Sequence, residues 1–195
     1  MNRMPAYTPK QTKIINTAFR ILNRKGLAAL TTKNLAKALR VSEPAIYNHF
    51  ANKNGILLGV LSVIERITSR TIAGILKTGQ PVLDKVESVF LLNFQRYVQS
   101  PRFIEIFYAQ ELFKNDRKLY RRIARIMEYT KTSCRLILEK GKHEIRPDIS
   151  PDRAFTVIMA SMNYLMTQWL GAPDRINLST ECRKRFKILK ILLKP

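Results

Sequence analysis

Between Val41 and Lys53 the chain reads V-S-E-P-A-I-Y-N-H-F-A-N-K. Within thirteen positions it sets out a hydroxyl, a carboxylate, a phenol, an imidazole, two carboxamides and an ammonium. Such groups make directional hydrogen bonds, and short side chains of this kind suit the edges of bases or the oxygens of phosphates. They do not make a catalytic set. The two histidines, His49 and His143, stand in different segments, no Cys/His/acid cluster forms, the acids are scattered, and no glycine-rich phosphate loop is present. No catalytic residue, metal site or cofactor is therefore expected, and an enzyme is disfavoured.

With Ser42 as N-cap and about 100° per residue, Ile46 and Phe50 fall on one face of a short helix. Pro44, Ala45 and Asn48 fall opposite, with Tyr47 and His49 on the flanks. The preceding segment sorts the same way. Leu35, Ala38 and Leu39 share one side, while Lys33, Lys37 and Arg40 share the other. Two short helices, each burying a thin stripe and joined by Arg40-Val41-Ser42, form a helix-turn-helix over 31–50. The first offers cations to phosphates and the second offers polar tips to a groove, which is what duplex DNA requires. Phe50 and Ile46 are core and carry no contact.

The charge agrees. The 195 residues carry 35 Lys and Arg against 14 Asp and Glu, a net +21. Through Gly55 there are ten basic residues and one acid, Glu43, a net +9. The excess points to a polyanion, nucleic acid before an anionic membrane; a solvated basic surface without a partner is the bland alternative. Cys134 and Cys182 share no close-spaced motif and fit a reducing compartment, and M-N-R-M-P-A-Y lacks the apolar run of a signal peptide. A cytoplasmic, nucleoid-associated location is expected. Residues 154–173 are uncharged over a spanning length. However, polar interruptions and three- and four-residue apolar steps mark a buried helix, and no membrane partner is expected.

Helical periods run throughout. Ile14, Ile15, Ala18, Phe19, Ile21 and Leu22 give one apolar face ending at Gly26. Thr31 or Thr32 starts a second helix. A long helix begins at Lys53 and stops by Gly79 and Pro81. Further helices fit Val82–Gln99, Arg102–Phe113 and Arg117–Lys140. Ser150-Pro151-Asp152 starts another, and a basic one closes the chain. The expectation is all-α, about nine helices: a three-helix DNA-binding domain over 1–52, and a helical bundle over 53–195.

T-T-K-N-L-A-K-A-L-R-V-S-E-P-A-I-Y-N-H-F-A-N-K resembles the TetR family of transcriptional regulators, whose recognition helix typically ends in Tyr-x-His-Phe with Lys shortly after. The resemblance spans about residues 8–68. It implies that Thr32 and Lys33 approach phosphates, that Ser42, Pro44, Ala45 and Asn48 face the groove, that Tyr47 and His49 hold the backbone, and that Lys53 reaches phosphate. Lys37 joins these from the basic side of its helix. Tyr47 packing against the fourth helix is the structural alternative. The chain departs from the family pattern at Arg40 and Pro44, where Gly is frequent, and at Glu43, where a polar or basic residue is common. Glu43 either complements the helix dipole or accepts from a cytosine amino group.

Beyond residue 55 the resemblance covers general architecture: a ligand-binding and dimerisation domain. Phe155, Met159, Met162, Met166, Phe186 and Leu189 are the candidate homodimer stripe, unless they bury themselves within one chain. Phe94, Tyr97, Phe107, Tyr108, Glu111, Asn163 and Trp169 are candidates for an effector pocket, unless they are ordinary core. The run Arg117, Lys118, Arg121, Arg122 and Arg125 reads as a solvated face or an anion site. The expected function is a homodimeric repressor of a palindromic operator, released by a small-molecule effector. The alternative is a low-specificity nucleoid or architectural binder using the same motif.

Overall fold

A computed structural model describes residues 6–99 and 116–195. Among them the protein is all-helical, without a strand. The helices are α1 (Pro9–Lys25), α2 (Thr32–Leu39), α3 (Glu43–Tyr47), α4 (Lys53–Leu76), α5 (Val82–Gln99), α6 (Arg117–Lys140), α7 (Pro151–Gly171) and α8 (Leu178–Leu193), with a short 3-10 turn at Lys142–Glu144. The helix expected over Arg102–Phe113 lies outside the described residues.

Side-chain caps set most of the helix starts. Thr8, Thr31, Ser42, Ser150 and Asn177 each accept a hydrogen bond from the backbone N–H three residues on. These bonds satisfy donors that have no partner within the helix. Pro9, Pro44 and Pro151 stand in first turns, where a missing N–H costs nothing. At the other end of α1, Gly26 takes φ 81° and ψ 180°, a region that a side chain would disfavour.

The chain divides into two compact units, one of 1–68 with 100–126 and one of 69–99 with 127–195. Helices α4 and α6 each contribute residues to both. In the first unit, Ile14, Ile15, Leu22, Leu35 and Ile46 of α1–α3 are buried, as are Leu57, Val60 and Leu61 of α4. Gly59 permits the close approach of α1, because a Cβ there would lie 2.6 Å from Ile15 Cγ1 and Cδ1. In the second unit α5 and α7 both pack on α8. Lys190 of α8 forms ion pairs with Asp84 and Glu87 of α5. Burial would lower that ammonium, but the hydrogen bonds to Asp84 and Glu87 outweigh it and hold it above its usual range. Cys134 and Cys182 are buried, and desolvation pushes both thiols up to about 12, which leaves them unreactive at neutral pH.

Candidate nucleic-acid interface

Helix α3 has only five residues, so its position depends on what surrounds it. Ile46 and Phe50 are buried at 1% and 8% exposure and anchor one side. Tyr7 sets its ring 6.4 Å from that of Phe50 and its hydroxyl 3.5 Å from Ser62 Oγ on α4. Gln11 links three groups. Its Oε1 accepts from Thr8 N at 3.0 Å, its N–H donates to Thr8 Oγ1, and its Nε2 donates to the His49 carbonyl at 3.0 Å. The start of α1 therefore holds the end of the recognition segment. Sequence reasoning missed Tyr7 and Gln11; the capping-box pattern at 8–11 was the legible signal, and the 38-residue reach to His49 was not.

The turn between α2 and α3 is made by Arg40 in the left-handed region, φ 58° and ψ 46°. Its N–H donates to Lys37 O, and that of Val41 donates to Ala36 O. An L-residue pays about 1–2 kcal/mol for this conformation, which explains why glycine is frequent there. Here the turn keeps the shape that glycine would give and adds an exposed cation.

Outward from this scaffold, Ser42, Pro44, Asn48, Lys33 and Lys37 are exposed, while Ala45 and His49 are half-buried. Tyr47 is 49% exposed. Lys53 opens α4 and is half-buried. The next residue, Asn54, donates to Asp116 Oδ2 at 2.7 Å, and Asp116 Oδ1 accepts from Leu119 N and Lys118 N to cap α6. The Leu119 N–H, with Asn54 and Lys118, holds the Asp116 carboxyl below its ordinary range. Glu43 is half-buried and does more than complement a dipole. Its Oε2 accepts from Thr32 Oγ1 at 2.7 Å, and Tyr47 Oη donates to the same Thr32 oxygen at 3.5 Å. The structure thus brings Thr32, Glu43 and Tyr47 together on the polar face.

Elsewhere the candidate residues separate. Of the basic run on α6, Arg122 and Arg125 pair with Glu65 at 2.7 and 3.1 Å, and Arg122 Nη1 also reaches Ser62 Oγ. Arg117, Lys118 and Arg121 remain exposed. Phe94 is buried, with Phe90 and Tyr97 at 6.0 and 6.3 Å; Phe90 also meets Phe186 at 5.9 Å. Trp169 is buried and Asn163 is exposed. Phe107, Tyr108 and Glu111 lie outside the described residues.

The stripe read as a subunit interface needs correction. Phe155, Met162, Met166, Phe186 and Leu189 are 0–6% exposed within the single chain, and Met159 is partly covered. They are core, because α7 and α8 use these faces to pack in their own unit. The apolar side chains that the same helices leave open are Val157, Tyr164, Leu170, Ile188, Ile191 and Leu192, at 42–73% exposure. Arg185 stacks over Tyr164 at 5.5 Å and donates to Gln168 Oε1 at 2.7 Å, but its Nε is buried without an acceptor.

Residues 14–60 match the family described as bacterial regulatory proteins, tetR family. A nucleoid occlusion factor, SlmA, of Vibrio cholerae is 28% identical over 167 residues, 86% of this chain and 80% of that one. A TetR transcription regulator from Haloarcula marismortui superposes with a TM-score of 0.77 at 16% identity, covering 95% of this chain and 98% of its own. The transcriptional regulator FadR of Bacillus subtilis, in complex with stearoyl-CoA, gives 0.70 at 20% identity, covering 91% and 96%. Among the described residues, no acid, cysteine and histidine group could hold a metal ion, and no helix is long and apolar enough to cross a membrane.

Proposed function

We propose that this chain, which belongs to the TetR family of bacterial DNA-binding regulators, is a homodimeric transcriptional repressor that binds a palindromic operator and is released by a small molecule. The observation that carries the reading is the divided helix-turn-helix. Ile46 and Phe50 are sunk in the first unit, while Ser42, Pro44, Tyr47 and Asn48 stand open beside Lys33 and Lys37. Cations supply affinity, and α3 supplies the reading of base edges. Tyr47, His49 and Lys53 hold the strand on either side.

One five-residue helix reads few base pairs, so the operator is read by two copies. The open side chains of α7 and α8, Val157, Tyr164, Ile188, Ile191 and Leu192, are the pairing surface. Two-fold pairing sets half-sites roughly 34–36 Å apart. Effector control enters through the second unit, where Phe90, Phe94 and Tyr97 offer an aromatic wall. The stearoyl-CoA held by the Bacillus subtilis regulator supports such a role for this architecture. Helix α4 runs unbroken from Lys53 to Leu76 and is the covalent route for the signal. A coupling of roughly 1–3 kcal/mol would change operator affinity about 5–150-fold. A cytoplasmic location on the nucleoid follows from this role.

Selection of bound duplex from a random pool tests the reading. A two-fold symmetric consensus is expected, and retention of no duplex above the pool would overturn it. A second reading, a nucleoid binder of low specificity, is favoured by the likeness to a nucleoid occlusion factor and by the net +21. A steep salt slope with little preference among sequences would select it.

A further inference from the structure

Glu43 is the one acid among the first 55 residues, and it sits in the middle of the surface assigned to a polyanion. A carboxylate there repels phosphate, so its presence needs a reason beyond the weak complement it gives to a five-residue helix. The hydrogen bonds supply one. Thr32 has a single hydroxyl proton, and it is given to Glu43 Oε2 at 2.7 Å, the length of a charge-assisted bond. The Tyr47 hydroxyl points at Thr32 Oγ1 in turn, at 3.5 Å. Two of the donors assigned to phosphate are therefore engaged by protein atoms, in a chain that ends on Glu43. A phosphate and Glu43 compete for the same Thr32 proton.

We propose that Glu43 is a specificity-determining residue that links recognition of a cytosine to the grip on the neighbouring phosphate. This rests on the DNA-binding reading above. Against a cytosine the carboxylate accepts from the N4 amino group, leaves Thr32, and frees that hydroxyl and Tyr47 for the strand. Against guanine it meets only acceptors at that edge, and against thymine an acceptor and a methyl group, so it stays on Thr32 or is left facing like charge. Guanine and thymine thereby lose the base contact and the phosphate contacts together. The same device lowers affinity for random duplex, which a headpiece of net +9 would otherwise hold too well.

The test uses the full chain with Glu43→Gln and Glu43→Ala, each checked for folding by circular dichroism. Random-pool selection with the unaltered protein comes first. The expected result is a cytosine preference at one position of each half-site. Glu43→Ala should abolish that preference, and Glu43→Gln should shift it toward adenine, which a carboxamide pairs in bidentate fashion. Both variants should bind random duplex roughly 3–10-fold tighter at low salt, because a carboxylate that repels the strand is gone and the Thr32 and Tyr47 hydroxyls are free for it. Folded variants that keep the unaltered consensus and the unaltered ratio of specific to random affinity would overturn the inference and leave Glu43 a helix-start residue. If the unaltered protein itself selects no duplex, the function above falls with it, and the two failures are told apart at that first step.

Discussion

The two ends of the chain turn opposite chemistry to the outside. Among the described residues from 6 to 55, no Lys or Arg forms an ion pair, and the surface is a field of single cations. In the second unit several cations are matched: Lys190 with Asp84 and Glu87, Arg135 with Asp152, Arg146 with Asp148, and Lys184 with Glu181. That unit also leaves apolar side chains open on α7 and α8, among exposed cations such as Arg153, Arg183 and Lys187. Matched charge screens itself and leaves hydrophobic area to drive association, whereas unmatched charge waits for an anion. The comparison agrees with the proposal of a polyanion at one end and a second copy at the other.

The largest effect that would break it is on association. Ile188→Glu with Ile191→Glu should leave the monomer folded, since both side chains already face water. The proposed dimerisation should weaken on the order of a thousandfold, because two charges per chain would enter an apolar pairing face. Sedimentation checks this, and an unchanged dimer would assign pairing to another surface. Tyr47→Ala with His49→Ala should next lower operator affinity about a hundredfold, from two lost bonds to charged oxygens at about 1.5 kcal/mol each, with the melting temperature held within a few degrees. Binding that survives would mean the open polar face is not the DNA surface.

Arg40→Gly separates the two roles of one residue. Relief of the left-handed strain should raise stability by about 1 kcal/mol in urea, while the lost cation should flatten the salt slope of DNA binding by about 0.9. The smallest effect is on pH. Asp116 has a depressed folded pKa, so its contribution is present above the unfolded value near pH 4 and is lost as pH falls through the folded one. Asp116→Asn should remove that part of the acid destabilisation, read as a flatter pH profile of the melting temperature below about pH 4.

The helices were legible because their signals are local. Caps at Thr31, Ser42 and Ser150 and the Gly79 and Pro81 stop lie within a few residues of the ends they set. Ile46 and Phe50 were placed in the core by spacing alone, and burial agrees. What stayed hidden involves partners that spacing does not connect. Glu43 meets Thr32 eleven residues away, and Arg122 meets Glu65 across 57. Arg122 and Arg125 looked like members of a free basic run for that reason. The subunit stripe failed for another cause. Helices α7 and α8 each carry two apolar arcs, and the richer arc, with Phe155, Met162 and Phe186, packs in its own unit. Hydrophobicity along one chain ranks the arcs but does not say which neighbour covers each. At Arg40 the backbone takes a left-handed geometry that glycine would adopt without strain.

The bare backbone at Gly59 also limits how the protein can be recombined. Its neighbour in space, Ile15, belongs to a helix 44 positions earlier, and the two interlock at a distance that tolerates no added methyl. A chimera that splices a foreign reading head onto this chain should therefore cross over beyond residue 60, so that lock and key travel together. A junction placed at the start of α4 would set this chain's Gly59 against the other parent's residue in place of Ile15 and misfit the graft before any operator was offered.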